Sequence, residues 1–227
     1  MVDSTSHALV DRSFLALIDD AELSALETIG VRRSFARGSV LMFEHEPGER
    51  VMVILSGRVK VSRITEGREV LLSIRDPGDL IGDLSFIDGE PRIATVTALE
   101  RVEALVLPVR ALRAHLEVTP RVAVAMLEVV TRRFRSTTVK RAQLSSSDTL
   151  GRVAARLTEL ATRYGSEAPD GITVISPLSI DELAAWTGAS RAGVAQAMKT
   201  MRELGWLETD RRRIVIREPE ALAERAG

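Results

Sequence analysis

Between positions 188 and 217, Arg191, Lys199, Arg202, Arg211, Arg212, Arg213 and Arg217 stand against Glu203, Glu208 and Asp210, a local charge of +4 in a chain of net charge −1. Cations grouped in this way suit a polyanion such as a phosphate backbone. Charge alone describes a solvated surface equally well, so the spacing has to decide. Ser190 opens a helix-like run in which Val194, Met198 and Met201 can face inward, while Arg191, Gln196 and Lys199 project polar heads near the capped start. Arg can pair with guanine and Gln with adenine through two parallel hydrogen bonds. The first turns of a helix lying in the major groove are where such side chains meet base edges. Gly193 weakens this helix by roughly 0.5–1 kcal/mol relative to Ala.

The residues just upstream set up that helix. Ser179-Ile180-Asp181-Glu182 has the form of a capping box, in which the Ser hydroxyl and the Glu carboxylate satisfy each other's orphan N–H groups. It opens a short helix carrying Ile180, Leu183, Ala184 and Trp186, closed by the turn Thr187-Gly188-Ala189. Two short helices across a Gly-containing turn make a helix-turn-helix. Downstream, Trp206-Leu207 and Ile214-Val215-Ile216 flank Thr209-Asp210-Arg211-Arg212-Arg213, a hairpin whose basic tip can lie along phosphates. The expected DNA-contacting set is Ser179, Ser190, Arg191, Gly193, Gln196, Lys199, Arg211, Arg212 and Arg213.

Other chemistries find little footing. The 227 residues contain no cysteine, which excludes disulfides, thiolate metal sites and a cysteine nucleophile. The three histidines, His7, His45 and His115, are scattered, and no nucleophile–base pair, metal-ligand cluster or Walker-type loop stands out. An enzyme is therefore not expected, and neither is a metal site. Hydrophobic residues make up 45% and charged residues 28%, the balance of a globular chain, and aromatics only 4%, so aliphatic packing must dominate. No apolar run approaches the length of a membrane span, and the N-terminus lacks a secretory signal. The composition fits the cytoplasm.

Along the chain, residues 8–30 have helical periodicity, with a break and cap expected at Asp19-Asp20. From Arg37-Gly38 to Pro108, short β-rich runs alternate with turns such as Glu46-Pro47-Gly48-Glu49, Glu66-Gly67 and Asp76-Pro77-Gly78-Asp79, which suggests a small barrel or double-sheet roll. Thr119-Pro120 then starts a helix that nothing interrupts to about Leu144. Leu127, Val130, Phe134, Thr137, Arg141 and Leu144 follow a heptad-like spacing, apolar first and polar later. A helix of roughly 25 residues spans about 38 Å, more than one small barrel can cover, so this seam is expected to join two copies of the chain. Ser145 to Asp148 reads as a hinge, Thr149 to Tyr164 as a helix, Gly165 to Gly171 as a loop and residues 172–176 as a strand.

Assembled, the chain resembles the cyclic-AMP receptor and fumarate–nitrate regulator (Crp–Fnr) superfamily over nearly its whole length, from about Phe14 to Ile216. The resemblance rests on SVLMFEHEPGERVMVILSGRVKV, DPGDLIGDLSFIDGEPRIATVTA and SIDELAAWTGASRAGVAQAMKTMRELGWLE. It implies an α+β chain in three segments: a cyclic-nucleotide-binding-type β-roll with N-terminal helices (1–118), a long dimerisation helix and hinge (119–147), and a winged helix-turn-helix (148–227). It implies a homodimer on pseudo-palindromic operator DNA, gated allosterically by an effector, with RNA polymerase as a further partner.

The resemblance also supplies a ligand template. The family's cyclic-nucleotide cassette reads Gly-Glu-Leu, then Pro-Arg-Ser/Thr-Ala; here Gly82, Asp83, Leu84 and Ser85 precede Pro91, Arg92, Ile93 and Ala94. Arg92 inherits the pairing with the cyclic phosphate. Asp83 is one methylene shorter than the acid that accepts from the ribose hydroxyl, and Ile93 replaces a phosphate-bonding hydroxyl. Thr137 and Thr138 align with the pair that meets adenine in cyclic-AMP sensors. Three readings stand: a cyclic nucleotide such as cyclic AMP, a cyclic dinucleotide, or a cassette retained as scaffold with Arg92 held by Asp83 or another acid. In the second helix, Ala192 and Gln196 replace a Glu and an Arg of the family pattern, so the usual operator is not carried over. A nucleotide-binding module acting on a protein partner is the remaining alternative, disfavoured by the helix-turn-helix.

Overall fold

The computed structural model describes residues 13–144, 148–168, 171–175, 178–210 and 213–226, of which 138–144, 168 and 175 as backbone only. Of the expected hinge from Ser145 to Asp148, residues 145–147 lie outside them, as do the basic tip residues Arg211 and Arg212. A one-turn helix at Phe14–Ala16 precedes α1 (Asp20–Ile29), whose N-cap is Asp19, in a reciprocal box with Glu22. Strands β1 (Val31–Phe35), β2 (Val40–Met42), β3 (Arg50–Ser56), β4 (Val59–Thr65), β5 (Arg68–Arg75) and β6 (Leu80–Ile81) follow, then α2 (Asp83–Asp88), β7 (Thr95–Ala98) and β8 (Val102–Pro108). Helices α3 (Val109–Val118), α4 (Pro120–Leu144) and α5 (Thr149–Tyr164) come next. The chain closes with β9 (Gly165–Ala168), β10 (Gly171–Ile175), α6 (Ile180–Thr187), α7 (Arg191–Glu203), β11 (Leu207–Asp210), β12 (Arg213–Ile216) and α8 (Pro219–Ala226).

The described strands form three four-stranded sheets, ordered β1-β8-β3-β6, β2-β7-β4-β5 and β11-β12-β10-β9. Two of them make the β-roll, and the period of two along each strand sorts its side chains between two cores. On β3, Met52 and Ile54 join Leu41, Met42, Val59, Ile81 and Val96, whereas Val51 and Val53 join Phe14, Leu26, Leu80, Leu112 and the inner face of α4. On β8, Val102 and Ala104 go to the first core, and Leu105 and Leu107 to the second. Each such valine, leucine, isoleucine, methionine or phenylalanine, fully buried, contributes about 1.5–3 kcal/mol. The chain divides into two compact units, one holding the residues up to Arg63 with Leu72–Ser136, the other Ile64–Leu71 with the residues from Thr137 onward.

Several elements differ from expectation. β1 begins at Val31, ahead of the expected onset of strands near Gly38, and pairs antiparallel with β8 from Val31↔Val106 to Phe35↔Val102. Its sequence VRRSF carries two arginines and four exposed residues, as an edge strand tolerates, so it shows no apolar alternation. The expected loop 165–171 contains β9, another edge strand, paired with β10.

Helix α1 is tied to α4 by charge. Arg121 donates from Nε to Glu22 Oε1 and from Nη2 to Glu22 Oε2, both at 2.7 Å, and reaches Asp19 at 3.2 Å. That hydrogen bond, aided by the Asp19 N–H, holds the Glu22 carboxyl below its ordinary value. A depressed folded-state value means stability that is present above the carboxyl's ordinary range and lost as pH falls through the depressed one. Glu22→Gln is expected to lower the thermal midpoint at neutral pH, with the gap to the parent closing on acidification. A gap independent of pH would assign the loss to packing instead.

Candidate nucleic-acid interface and effector pocket

The helix-turn-helix is built from its caps. The Ser179 hydroxyl accepts from Glu182 N–H at 3.2 Å and the Glu182 carboxylate accepts from Ser179 N–H at 2.8 Å, closing the expected box. Gly188 ends α6 at φ 64°, the left-handed region that glycine enters without a Cβ penalty. Ser190 then caps α7, its hydroxyl accepting from Gly193 N–H at 3.0 Å. Leu183, Ala184 and Trp186 of α6 and Val194, Ala197, Met198 and Met201 of α7 are buried. Helix α5 supports the pair: Arg152 Nε donates to the Thr187 carbonyl at 2.8 Å, and the Arg156 guanidinium lies 4.6 Å from the Trp186 ring centroid. Arg225 of α8 pairs with Asp148, the N-cap of α5.

With its apolar face so committed, α7 presents Arg191, Ala192, Ala195, Gln196, Lys199 and Arg202 to solvent. Lys199 lies 3.6 Å from Glu203, and Arg213 is exposed at the start of β12 beside the wing turn. Gly193 has a packing role that sequence alone left unseen. A Cβ there would sit 3.2 Å from the Ser190 hydroxyl and 3.4 Å from a Thr149 methyl, so its absence spares the cap. Arg191 donates from Nη1 to both carboxylate oxygens of Asp181, at 2.9 and 2.8 Å, a partner that sequence reading did not assign.

In the β-roll, Gly82 stands at φ 79° and starts α2; a Cβ on it would lie 2.5 Å from Arg92 Nη1 and 3.0 Å from the Arg50 carbonyl. This bare backbone lets Arg92 fold over the cassette. Arg92 is 4% exposed and donates from Nη1 to the Gly82 carbonyl at 2.8 Å and from Nη2 to the Arg50 carbonyl. Burial, then the nearby Arg50, pull its pKa down from the ordinary value; Glu46 and Asp83 oppose this. Among the described residues no acid pairs with it directly, so the scaffold reading with Asp83 as its partner does not describe this arrangement. Asp83 instead accepts from Arg133 Nη1 of α4 at 2.7 Å, and Arg133 also donates to the Leu80 carbonyl at 2.8 Å and to Asp79 at 3.3 Å. Ser85 is buried, Leu84 exposed, and Ile93 is 52% exposed. Thr137 is exposed, while the side chains of Thr138, Arg141 and Leu144 fall outside the described set.

Arg133 is the pocket residue that sequence reading missed. Its signal was available: it falls on the stripe of Val122, Ala125, Met126 and Val129, one turn after Val129, and a cation on a core-facing stripe needs an acid.

A β-roll with a nucleotide-type cassette, a long helix and a winged helix-turn-helix in one chain is the architecture of a DNA-binding regulator. The comparisons agree. The cyclic nucleotide-binding domain family matches residues 32–118, and the Crp-like helix-turn-helix domain family matches residues 151–225. The CRP-like cAMP-activated global transcriptional regulator of Mycobacterium tuberculosis is 37% identical over 193 residues, covering 85% of this chain and 86% of its own. A CooA mutant from Carboxydothermus hydrogenoformans superposes with a TM-score of 0.79 at 21% identity, covering 96% of this chain and 97% of its own. The c-di-GMP responsive global regulator CLP of Xanthomonas campestris gives 0.78 at 20% identity, covering 87% and 99%. These two likenesses establish the fold. The chain belongs to the Crp–Fnr superfamily of DNA-binding transcription regulators and is not an enzyme.

Removing Arg133 would strand Asp83, whose side chain is 8% exposed, in a protein interior. Arg133→Ala is expected to cost about 1–3 kcal/mol in urea unfolding, less than a fully buried pair because Arg133 keeps some solvent contact. Adding Asp83→Asn should recover much of that loss. Equal losses in the single and double variants would mean that the helix stem, rather than the charge, carries the stability.

Proposed function

We propose that the protein is a homodimeric, sequence-specific transcription regulator whose β-roll receives an anionic effector at Arg92, divided functionally into segments 1–118, 119–147 and 148–227. The observation that carries the effector reading is the burial of Arg92 with only carbonyl partners. A guanidinium does not deprotonate in a protein, and two dipoles do not neutralise it, so an anion is the group this site favours. Gly82, Leu84 and Ser85 shape the cradle around it.

Support for the dimer comes from the outer face of α4. Val124, Leu127 and Phe134 are 63%, 60% and 72% exposed on a helix whose opposite face is buried. Val130 sits half-buried between them, and Thr137 continues the row. A second copy would cover this stripe by knobs-into-holes packing about a two-fold axis. It would thereby present two α7 helices to successive half-sites about 34 Å apart. Ser179, Ser190, Arg191, Gly193, Gln196, Lys199 and the wing arginines 211–213 form the DNA-contacting set. Replacing Val130 and Phe134 together with Glu should yield monomers in analytical ultracentrifugation; a persistent dimer would put the seam elsewhere.

A second reading is favoured by two observations at the cassette. Asp83 is already held by Arg133, and the exposed Ile93 offers no hydroxyl to a phosphate. Both weaken a cyclic-AMP site, although the Mycobacterium tuberculosis relative is described as cAMP-activated. Calorimetry with cyclic AMP, cyclic GMP and cyclic di-GMP separates the cases. Binding of one anionic nucleotide, abolished by Arg92→Ala and weak for cyclic AMP, is the expected result. Silence from all three, with tight operator binding by the ligand-free protein, would make the cassette a scaffold and the regulator constitutively competent.

A further inference from the structure

We infer that Asp181 sets the specificity of Arg191 by holding one nitrogen of its guanidinium, leaving only the Nε–Nη2 edge to read a base. This rests on the proposed role of Arg191 in contacting base edges. Asp181 is the second residue of α6 and Arg191 the first of α7, so the turn at Gly188 brings them together. Both oxygens of Asp181 accept from Nη1, and neither Nε nor Nη2 has a hydrogen-bond partner among the described residues. The two side chains are 65% and 71% exposed, and a pair so exposed contributes too little to folding to explain itself there.

A carboxylate on the face that meets a polyanion has a direct cost, because it repels phosphates. Its position decides which contacts suffer. A phosphate can accept from the same Nε–Nη2 edge, but it is anionic, and the Asp181 carboxylate held beside that edge repels it. A guanine instead offers O6 and N7 to two parallel donors, which Nε and Nη2 supply while Nη1 stays on Asp181. The carboxylate therefore weakens sequence-independent binding and leaves guanine recognition with a pre-oriented donor edge. Asp181 is a positioning residue: it acts on DNA through Arg191.

The test uses the full-length protein and two duplexes of equal length, one recovered by the protein from a randomised library and one of random sequence. Binding is measured for the parent, Asp181→Asn, Arg191→Ala and the double variant, with thermal midpoints as a check on folding. Asp181→Asn should tighten binding to the random duplex and reduce the ratio of the two affinities about three- to tenfold, an effect intermediate between a surface charge and a base contact. In the Arg191→Ala background the same substitution should leave that ratio unchanged. Asp181→Ser, which retains a polar group at the helix start, should reproduce the loss if Asn perturbs the fold. An unchanged ratio in Asp181→Asn, or an equal fall with and without Arg191, overturns the inference. If Arg191→Ala alone leaves the ratio intact, the base-contact role of Arg191 is wrong, and the inference falls with it.

Discussion

Val122, Ala125, Met126 and Val129 of α4 are buried against Val51, Val53, Leu105 and Leu107 of the first sheet, together with Phe14 and Leu26. This contact fixes one face of a helix 25 residues long, about 38 Å by its rise per residue. The opposite face is also apolar through Phe134, and the β-roll cannot reach it. A helix apolar on two sides has to be covered on two sides. The proposed second copy would thus cover the outer face of the helix that completes the first copy's core. A two-fold relation between protomers would in turn give the pair of recognition helices a pair of half-sites to read.

The same helix brings a charge to the cassette. Arg133 follows the inward stripe by one turn and holds Asp83, while its chain neighbour Phe134 points to the outer face. The cassette acid and the apolar seam are therefore separated by one ion pair and one peptide bond. Arg92, whose hydrogen-bond partners among the described residues are the Gly82 and Arg50 carbonyls, lies beside this link and, as a guanidinium, keeps its charge despite burial. An anion bound here, as proposed, would change the field felt by Asp83, and so the hold that Arg133 has on it. An effector that binds two arrangements of this group with unequal affinity shifts their populations by that inequality and no more.

Much of this was legible in the sequence because local chemistry and tertiary context agree at those positions. The Ser179–Glu182 box, the Ser190 cap, the Gly188 turn and the start of α4 at Pro120 are short-range features whose residues determine their own conformation. The strands of the roll announced themselves where both faces are buried, as in β3. Two edge strands, β1 and β9, did not: β1 is paired along one side only, and its arginines obey solvent rather than a core. Charge partners were the other blind spot. Arg133 with Asp83 are 50 residues apart and Arg121 with Glu22 are 99 apart, so only the topology reveals them. Arg191 was legible as a candidate base contact, yet its tie to Asp181 depends on the angle between two helices that their sequences do not state.

The central claim, that the outer face of α4 joins two protomers about a two-fold axis, is open to a direct measurement because the chain contains no cysteine of its own. Single cysteines placed at Leu127, Val130 or Phe134 would face their own symmetry mates. Controls at Glu128 and Arg135 occupy outer positions of the same helix. Under mild oxidation the three seam variants should form covalent dimers, since a disulfide closes only when Cα atoms approach to about 4.4–6.8 Å, and the two controls should stay monomeric on a non-reducing gel. Cross-linking at Glu128 and Arg135 with none along the seam would contradict the account.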